Sequence, residues 1–237
     1  MRLFAPAMTL ALLIAPLPGG IAHAQDSARG AFMTLGAPGD APRGYVAMCR
    51  DLPELCRRAD QSDDVCLQSP SHMAYNGTAM PILLATPVKL PSLPENCDAA
   101  KARATSYARP ALDLKQLKKV NNLVNHHVRQ VYDSVATGQD ELWRPSGVGR
   151  GAVGDCEDLA LEKMLQLRAL GYPQSATALA VAYVRGVGLH VVLVVRTSEG
   201  DMILDSMTDA IKPWQKLSYN WLRVQSPNDP NRWHRVI

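Results

Sequence analysis

Three side chains whose types together support nucleophilic catalysis lie in the second half of the chain. Cys156 stands where a helix is predicted to begin, His190 at the start of a predicted strand and Asp205 at the end of the next strand. Unpaired backbone N–H groups at a helix start favour a thiolate and can also hold the oxyanion of an acyl intermediate. A neighbouring histidine raises the reactivity of such a cysteine. The spacing therefore suits a triad with Cys156 as nucleophile, His190 as base and Asp205 as the group that orients the imidazole. The alternatives at this point are inert packing of the cysteine, an edge-strand position for the histidine and a turn cap for the aspartate.

The register of the two strands decides whether the histidine and the aspartate can meet. A four-residue turn predicts a hairpin in which Arg196 pairs with Asp201, and this register sets Val192 opposite Asp205. His190 and Val192 share a face because side chains alternate along a strand. Asp205 is then a diagonal neighbour of His190, at about 7–8 Å between strand positions. We expect the carboxylate to reach the imidazole, since only a slip of the register by one residue would separate their faces.

Two helices and a set of antiparallel strands must position these residues. Asp113 is expected to cap the first helix, whose apolar side chains recur at helical spacing, at Leu117, Val120, Val124, Val128, Val131 and Val135. A glycine-rich loop leads to the second helix, which begins near Cys156 and is ended by Gly171. Strands are predicted over residues 176–184, 191–195 and 202–204. The pattern predicts an α+β fold in which the helix that bears Cys156 packs on an antiparallel sheet.

The composition of the chain argues against several classes of protein. Of its 237 residues, 47% are hydrophobic and 20% are charged, which provides enough apolar surface for a buried core. The formal net charge is +3, and no run of five like charges occurs. We therefore expect no nucleic acid as a partner and no polybasic membrane anchor.

The first 24 residues have the features of a secretory signal peptide. Arg2 precedes an apolar run over residues 3–14, helix breakers follow, and the small residues Ala22 and Ala24 flank His23. The apolar run is shorter than the roughly 20 residues that a membrane-spanning helix needs. We expect cleavage after Ala24 and a periplasmic or secreted protein; an uncleaved N-terminal anchor is the alternative.

Export changes how the five cysteines are interpreted, because an oxidising compartment allows disulfides to persist. Residues 25–110 form a predicted wrapping segment rich in Pro, Gly and Ala, and this segment holds four cysteines: Cys49, Cys56, Cys66 and Cys97. They allow three pairings, which the sequence does not rank, and their spacings of 7, 10 and 31 residues argue against zinc. Cys156 is left over in the predicted domain 111–237, where it is free to act as a nucleophile.

The run Gly154-Asp155-Cys156-Glu157-Asp158, before a leucine-rich helix that ends at Gly171-Tyr172-Pro173, resembles the bacterial transglutaminase-like cysteine peptidases. These include the LapG-like periplasmic proteases of Gram-negative bacteria. The resemblance covers about residues 115–237 and extends through further motifs: Val120-Asn121, Val124-Asn125, Trp143-Arg144-Pro145, His190-Val191-Val192-Leu193, Leu204-Asp205, Tyr219-Asn220-Trp221 and Trp233. The chain departs from many relatives at Leu189, where they have Gly, and at Ser206, where they have Asn. Its cysteine-bearing N-terminal segment is more similar to a rhizobial-type subgroup of these peptidases than to the LapG proteases themselves.

The resemblance implies a papain-like/transglutaminase-like core, the triad Cys156, His190 and Asp205, and a protein substrate such as a surface adhesin. It also implies an inhibitory membrane receptor as a partner. A peptidase and a protein-crosslinking transglutaminase share this machinery and differ in whether water or an amine takes up the acyl group. A non-catalytic periplasmic binding module on the same fold is the third alternative.

Calcium is the cofactor that the resemblance implies, with Asp155, Glu157 and Asp158 as ligands. Three negative charges around the thiol would raise its pKa, so a bound cation would offset them. Calcium takes about six to eight oxygen ligands, which Asp140, backbone carbonyls or water would complete. The alternative is structural, since Asp155 could cap the helix and acids favour its positive end.

Overall fold

A seven-stranded antiparallel sheet is the centre of the part of the chain that the structure, a computed structural model, describes: residues 32–58 and 113–237. The strands in these ranges are β1 (Leu35–Gly39), β2 (Arg129–Gln130), β3 (Val153–Gly154), β4 (Thr177–Val184), β5 (Gly188–Thr197), β6 (Gly200–Asp205), β7 (Thr208–Pro213), β8 (Asn220–Ser226) and β9 (Asp229–Val236). Their order in the large sheet is β1-β9-β8-β4-β5-β6-β7, and β2 pairs with β3 as a separate parallel ladder.

Four α-helices accompany the sheet in the described ranges: α1 (Arg43–Asp51), α2 (Leu114–His127), α3 (Asp133–Ala136) and α4 (Cys156–Ala169). None of them has the length and hydropathy that a membrane-crossing helix needs. The described elements combine helices with an antiparallel sheet, which confirms the α+β prediction.

The first predicted helix is shorter than its apolar pattern suggests. Asp113 caps α2 as predicted, because its carboxylate accepts the backbone N–H of Lys115 at 2.9 Å. The prediction that the helix continues to Val135 is wrong, since α2 ends at His127 and Val135 is 75% exposed. Beyond that point the backbone N–H of Arg129 bonds to a carbonyl of the segment before α4 rather than to its own helix.

The β5–β6 hairpin has the predicted register, with Arg196 opposite Asp201 and Leu193 opposite Leu204. This pairing leads the end of β6 toward the start of β5, where His190 lies. The turn between the two strands is local in sequence, and the alternation of buried side chains fixes which residues pair along the two strands.

Helix α4 packs against the hairpin through one apolar cluster. Leu161 of the helix joins Leu193 of β5 and Leu204 of β6 in this cluster, and all three are buried. Val192 of β5 and Ile203 of β6 belong to a second cluster on the other face of the sheet. Because both faces are covered, the hairpin that carries His190 and Asp205 is a rigid support for them.

Part of the predicted wrapping segment 25–110 belongs to the same core. Strand β1 pairs with β9, and Tyr45 of α1 packs edge-on against Trp143 and Trp233 at ring-centroid distances of 5.7 and 5.3 Å. A Cβ at Gly44 would lie 2.3 Å from the Trp143 ring, so only glycine allows this approach. The domain boundary predicted near residue 111 stays a prediction.

A disulfide joins Cys49 at the end of α1 to Cys56 in the following 3-10 turn, Pro53–Cys56. It belongs to one of the three pairings that the sequence left open. Cys66, Cys97 and the predicted signal peptide at residues 1–24 lie outside the described residues.

Candidate active site

The start of α4 places a free thiol at a helix end. Cys156 is the first residue of the helix, and Asp155 occupies the N-cap position in an extended conformation without a side-chain capping bond. Among the described cysteines Cys156 carries the free thiol, and it is partly buried. A free thiol therefore lies at the end of the helix where the first-turn N–H groups have no partner within the helix.

The thiol of Cys156 makes two hydrogen bonds in this structure. It donates to Glu157 Oε2 at 3.1 Å and accepts the backbone N–H of Val191 at 3.4 Å. Burial, followed by the negative charge of Glu157, raises the pKa of the thiol far above its ordinary value. In the described part of the chain no hydrogen bond joins this sulfur to His190, although Val191 is the next residue along β5.

His190 and Asp205 form a buried pair. His190 Nε2 lies 2.7 Å from Asp205 Oδ1, and both side chains are almost completely excluded from solvent. The backbone N–H of Met207 donates to the same oxygen at 2.9 Å, and the hydroxyl of Tyr219 donates to Asp205 Oδ2 at 2.6 Å. Burial opposes the charged carboxylate, yet these hydrogen bonds and the charge of His190 outweigh it and lower the pKa of Asp205.

The pairing determines which imidazole nitrogen remains for chemistry. With Nε2 of His190 directed at Asp205, the lone pair on Nδ1 is the one that can accept a proton from a thiol. The ring of Tyr219 also meets the His190 ring edge-on, at a centroid distance of 6.2 Å and an interplanar angle of 88°. Tyr219 thus contacts both members of the pair.

A cluster of three carboxylates lies beside the thiol. Asp133, the first residue of α3, joins Asp155 and Glu157, and ligand oxygens of the three lie within 4.8 Å of one another. Asp133 accepts a hydrogen bond from the backbone N–H of Leu142, and its own N–H donates to Asp155 Oδ2 at 3.3 Å. Three acids at such short range repel one another unless protons or a cation offset their charge.

The donor set of this cluster fits a calcium ion. All three side chains offer oxygen, which is the ligand that hard divalent cations prefer. Asp155 Oδ1 is buried and has no hydrogen-bond partner among the described residues. Burial raises the pKa of Asp155 and of Glu157, and the charge of Asp155 raises that of Glu157 further.

A family model described as "Bacterial transglutaminase-like cysteine proteinase BTLCP" matches residues 91–237, which include each side chain of the site described above. The chain belongs to this cysteine proteinase family. The membership confirms the resemblance inferred from the sequence and accounts for a transglutaminase-like core.

Two solved structures of another protein are similar to part of the chain. Calcium-bound Legionella pneumophila LapG is 26% identical, with 46% of this chain and 63% of that chain covered and a TM-score of 0.41. A second structure of Legionella pneumophila LapG is 28% identical, with 46% and 62% covered and a TM-score of 0.40. The chain thus spans about three fifths of the length of the LapG structures that it matches. No curated protein matches it.

The structure brings together two of the three calcium ligands expected for this proteinase. Asp155 and Glu157 are in the cluster, whereas Asp158 lies outside it. Its Oδ1 accepts the backbone N–H of Arg144 at 2.8 Å, and burial raises its pKa to about 8. Asp140, expected to complete the shell, is exposed and also lies outside the cluster.

Two residues of this proteinase site, Asp133 and Tyr219, were not assigned roles from the sequence. Asp133 follows α2 in a stretch that the apolar pattern assigned to that helix, and it is 22 residues away from Asp155. Tyr219 was noted only as part of a motif, and it lies 14 residues beyond Asp205. The sequence signals were a carboxylate inside the predicted helix and a tyrosine in a motif of the family resemblance.

Proposed function

We propose that the chain is a cysteine peptidase that cleaves a protein substrate with Cys156 as nucleophile, His190 as base and Asp205 as orienting acid. The observation that carries this proposal is the buried hydrogen bond between His190 and Asp205, next to the helix start that bears the free thiol. Family membership supports the peptidase reaction.

The reaction proceeds through a thioester. His190 Nδ1 takes the proton of the Cys156 thiol, and the thiolate attacks the carbonyl carbon of a peptide bond. The carbonyl oxygen becomes an oxyanion that faces the N–H groups at the start of α4. The C–N bond then breaks, and the imidazolium gives its proton to the leaving amine.

Hydrolysis completes the cycle. His190 removes a proton from a water molecule, which attacks the thioester carbon and releases the second product as a carboxylic acid. The sulfur leaves and regains its proton from the imidazolium. Asp205 stays ionised throughout and holds the imidazole in the tautomer that presents Nδ1 to the sulfur.

We assign the calcium site to Asp133, Asp155 and Glu157, on the basis of their three closely spaced carboxylates and the buried oxygen of Asp155 without a partner. A calcium ion held there would supply positive charge that offsets the negative charges of these acids beside the thiol. Glu157, which accepts the hydrogen bond of the Cys156 thiol, would be one of the residues that hold it.

The expected setting of this activity is the periplasm or the exterior of a Gram-negative bacterium, which the signal-like residues 1–24 support. A surface adhesin as substrate and an inhibitory membrane receptor as partner stay predictions of the family resemblance. The choice between water and an amine as acyl acceptor is part of the test below.

The test compares the protein N-termini on the cell surface and in the medium of cells that produce the native chain or Cys156→Ala. A peptidase creates at least one new N-terminus that is absent with Cys156→Ala. Identical N-termini in both samples contradict the proposal. Isopeptide crosslinks that depend on Cys156 would instead identify a transglutaminase.

A further inference from the structure

A group of large apolar side chains is exposed around the start of β5, next to the candidate active site. Leu189 directly precedes His190 and is 65% exposed, and Tyr183 of β4 lies opposite it and is 49% exposed. Val187, two residues before Leu189, is exposed as well. Single exposed apolar residues are common on protein surfaces, but a contiguous group marks a site of contact with another molecule.

Strand alternation places Leu189 on the face of the sheet that α4 covers. Val191 and Leu193 share this face, and both are buried in the cluster that contains Leu161 of α4. The helix begins at Cys156, whose sulfur accepts the backbone N–H of Val191 at 3.4 Å. Leu189 is the next side chain on this face beyond Val191, past the start of the helix. It is therefore exposed, whereas Val191 is only 6% exposed.

The neighbouring strands continue the same uncovered surface. On β4, Leu179 and Val181 are buried in the cluster under α4, and Tyr183 follows them on the same face. Asn220 of β8 lies opposite Tyr183 on the other side and is also exposed. A row of exposed side chains, Leu189, Tyr183 and Asn220, thus runs across three strands just beyond the sulfur.

The distance from the sulfur to this row suits a substrate residue close to the scissile bond. Leu189 lies two strand positions from Val191, which corresponds to about 7 Å along β5. An extended peptide has the same spacing, so a substrate whose carbonyl carbon meets the Cys156 sulfur brings a side chain one or two residues away against Leu189. An apolar side chain there removes apolar surface of both partners from water, whereas a charged side chain would lose water without gaining a polar partner from Leu189.

We propose that Leu189 and Tyr183 form a substrate subsite that accepts a large apolar side chain within two residues of the scissile bond. The occupant is an extended stretch of the protein substrate, because the exposed row begins where the nucleophilic sulfur meets β5. The subsite rests on the proposed function and adds a sequence preference to it.

The test uses a library of proteome-derived peptides, which samples both sides of the scissile bond. The native chain, Leu189→Ala and Leu170→Ala cleave the library in the presence of calcium, and mass spectrometry identifies the new termini. Leu170 provides the matched control because it is an exposed leucine at the opposite end of α4 from Cys156. Native cleavage sites should be enriched in Leu, Ile, Met or Phe at one position within two residues of the cut. The enrichment should disappear in Leu189→Ala and remain in Leu170→Ala.

Synthetic peptides measure the size of the preference. For the native chain and Leu170→Ala, kcat/KM should be at least about tenfold higher for a peptide with Leu at the preferred position than for the same peptide with Ala, as is typical of apolar pockets. In Leu189→Ala this ratio should fall to about threefold or less, because the substrate side chain loses most of the apolar surface that it contacts.

The possible failures have different causes. An equal preference in Leu189→Ala and the native chain, or no preference in the native chain, overturns the subsite and leaves the peptidase activity intact. A library that the native chain and Cys156→Ala leave equally uncut overturns the proposed function, and the subsite fails with it. A lower thermal unfolding temperature in Leu189→Ala than in Leu170→Ala, with the preference unchanged, would mean that another segment of this chain covers Leu189, which also overturns the subsite.

Discussion

Tyr219 donates its hydroxyl hydrogen to Asp205 Oδ2 at 2.6 Å, while the other oxygen of the same carboxylate meets His190 at 2.7 Å. The aspartate is therefore held through both of its oxygens. A carboxylate with one free oxygen can rotate away from the imidazole. Tyr219 limits that rotation from its position just before β8, outside the β5–β6 hairpin.

Removal of the Tyr219 hydroxyl should lower catalysis more than substrate binding. In Tyr219→Phe the ring still contacts His190, but a hydrogen bond to a charged group, worth about 1.5–3 kcal/mol, is lost. We expect kcat to fall by about one to two orders of magnitude with KM unchanged. Tyr132→Phe, at an exposed tyrosine just before α3, is the control. Equal kcat values for Tyr219→Phe and the native chain would show that this contact has no role in the reaction.

Calcium should stabilise the chain through Asp133. We expect the thermal unfolding temperature to rise when calcium is added to chelator-treated protein, because binding to the folded state alone shifts the equilibrium. Asp133→Asn should remove most of this rise. Asp140→Asn changes an exposed aspartate outside the cluster and should keep the native response. The assignment fails if the two variants respond equally to calcium.

The stability of the chain should depend on pH through Lys163. Burial lowers its pKa from 10.5 to about 7 in the folded state, whereas an unfolded lysine keeps a pKa near 10.4. Between these values the unfolded chain binds a proton that the folded chain does not, so the free energy of unfolding rises with pH across this range. Below about pH 7 both states bind the proton, and burial of the charged lysine lowers the free energy of unfolding by its full amount.

Urea unfolding at pH 7 and at pH 9.5 measures this dependence. Between pH 7 and pH 9.5 the change in unfolding free energy should be clearly more positive in the native chain and in the control Lys119→Met, at an exposed lysine of α2, than in Lys163→Met. Lys163→Met should also be more stable than the native chain at pH 7. A gain in Lys163→Met as large as that in Lys119→Met would mean that other groups cause the pH dependence.

Gly44 offers a test of whether α1 belongs to the core of the proteinase domain. Gly44→Ala introduces a Cβ that meets the Trp143 ring at 2.3 Å, and overpacking of this kind costs about 1–3 kcal/mol of unfolding free energy. The control is Gly149→Ala, where nothing lies within 4 Å of the added carbon. Equal unfolding free energies for the two variants would indicate that α1 contributes little to the core.

The sequence predicts those parts of the site whose determinants are close together along the chain. The pairing of Arg196 with Asp201 depends on a short turn and on alternating burial, and it correctly anticipates that Asp205 reaches His190. The start of α4 at Cys156 was likewise predicted from local signals.

Features set by distant contacts could not be predicted in the same way. Helix α2 ends early because the N–H of Arg129 pairs with Ala152, a contact that no helical periodicity encodes. Strand β1 pairs with β9, although the two strands are far apart in the sequence; Leu35 lies opposite Val236. Asp133 joins the carboxylate cluster only because the ladder between β2 and β3 brings its segment beside α4.

The role of His190 as the base for Cys156 is measured by the rate at which iodoacetamide modifies Cys156 in the presence of calcium. We expect one fast-reacting thiol that is absent in Cys156→Ala and reacts at least about tenfold more slowly in His190→Ala, because the imidazole no longer takes its proton. His127→Ala, at an exposed histidine of α2, should react like the native chain. Equal rates in the native chain and in His190→Ala would contradict the assignment of His190 as the base.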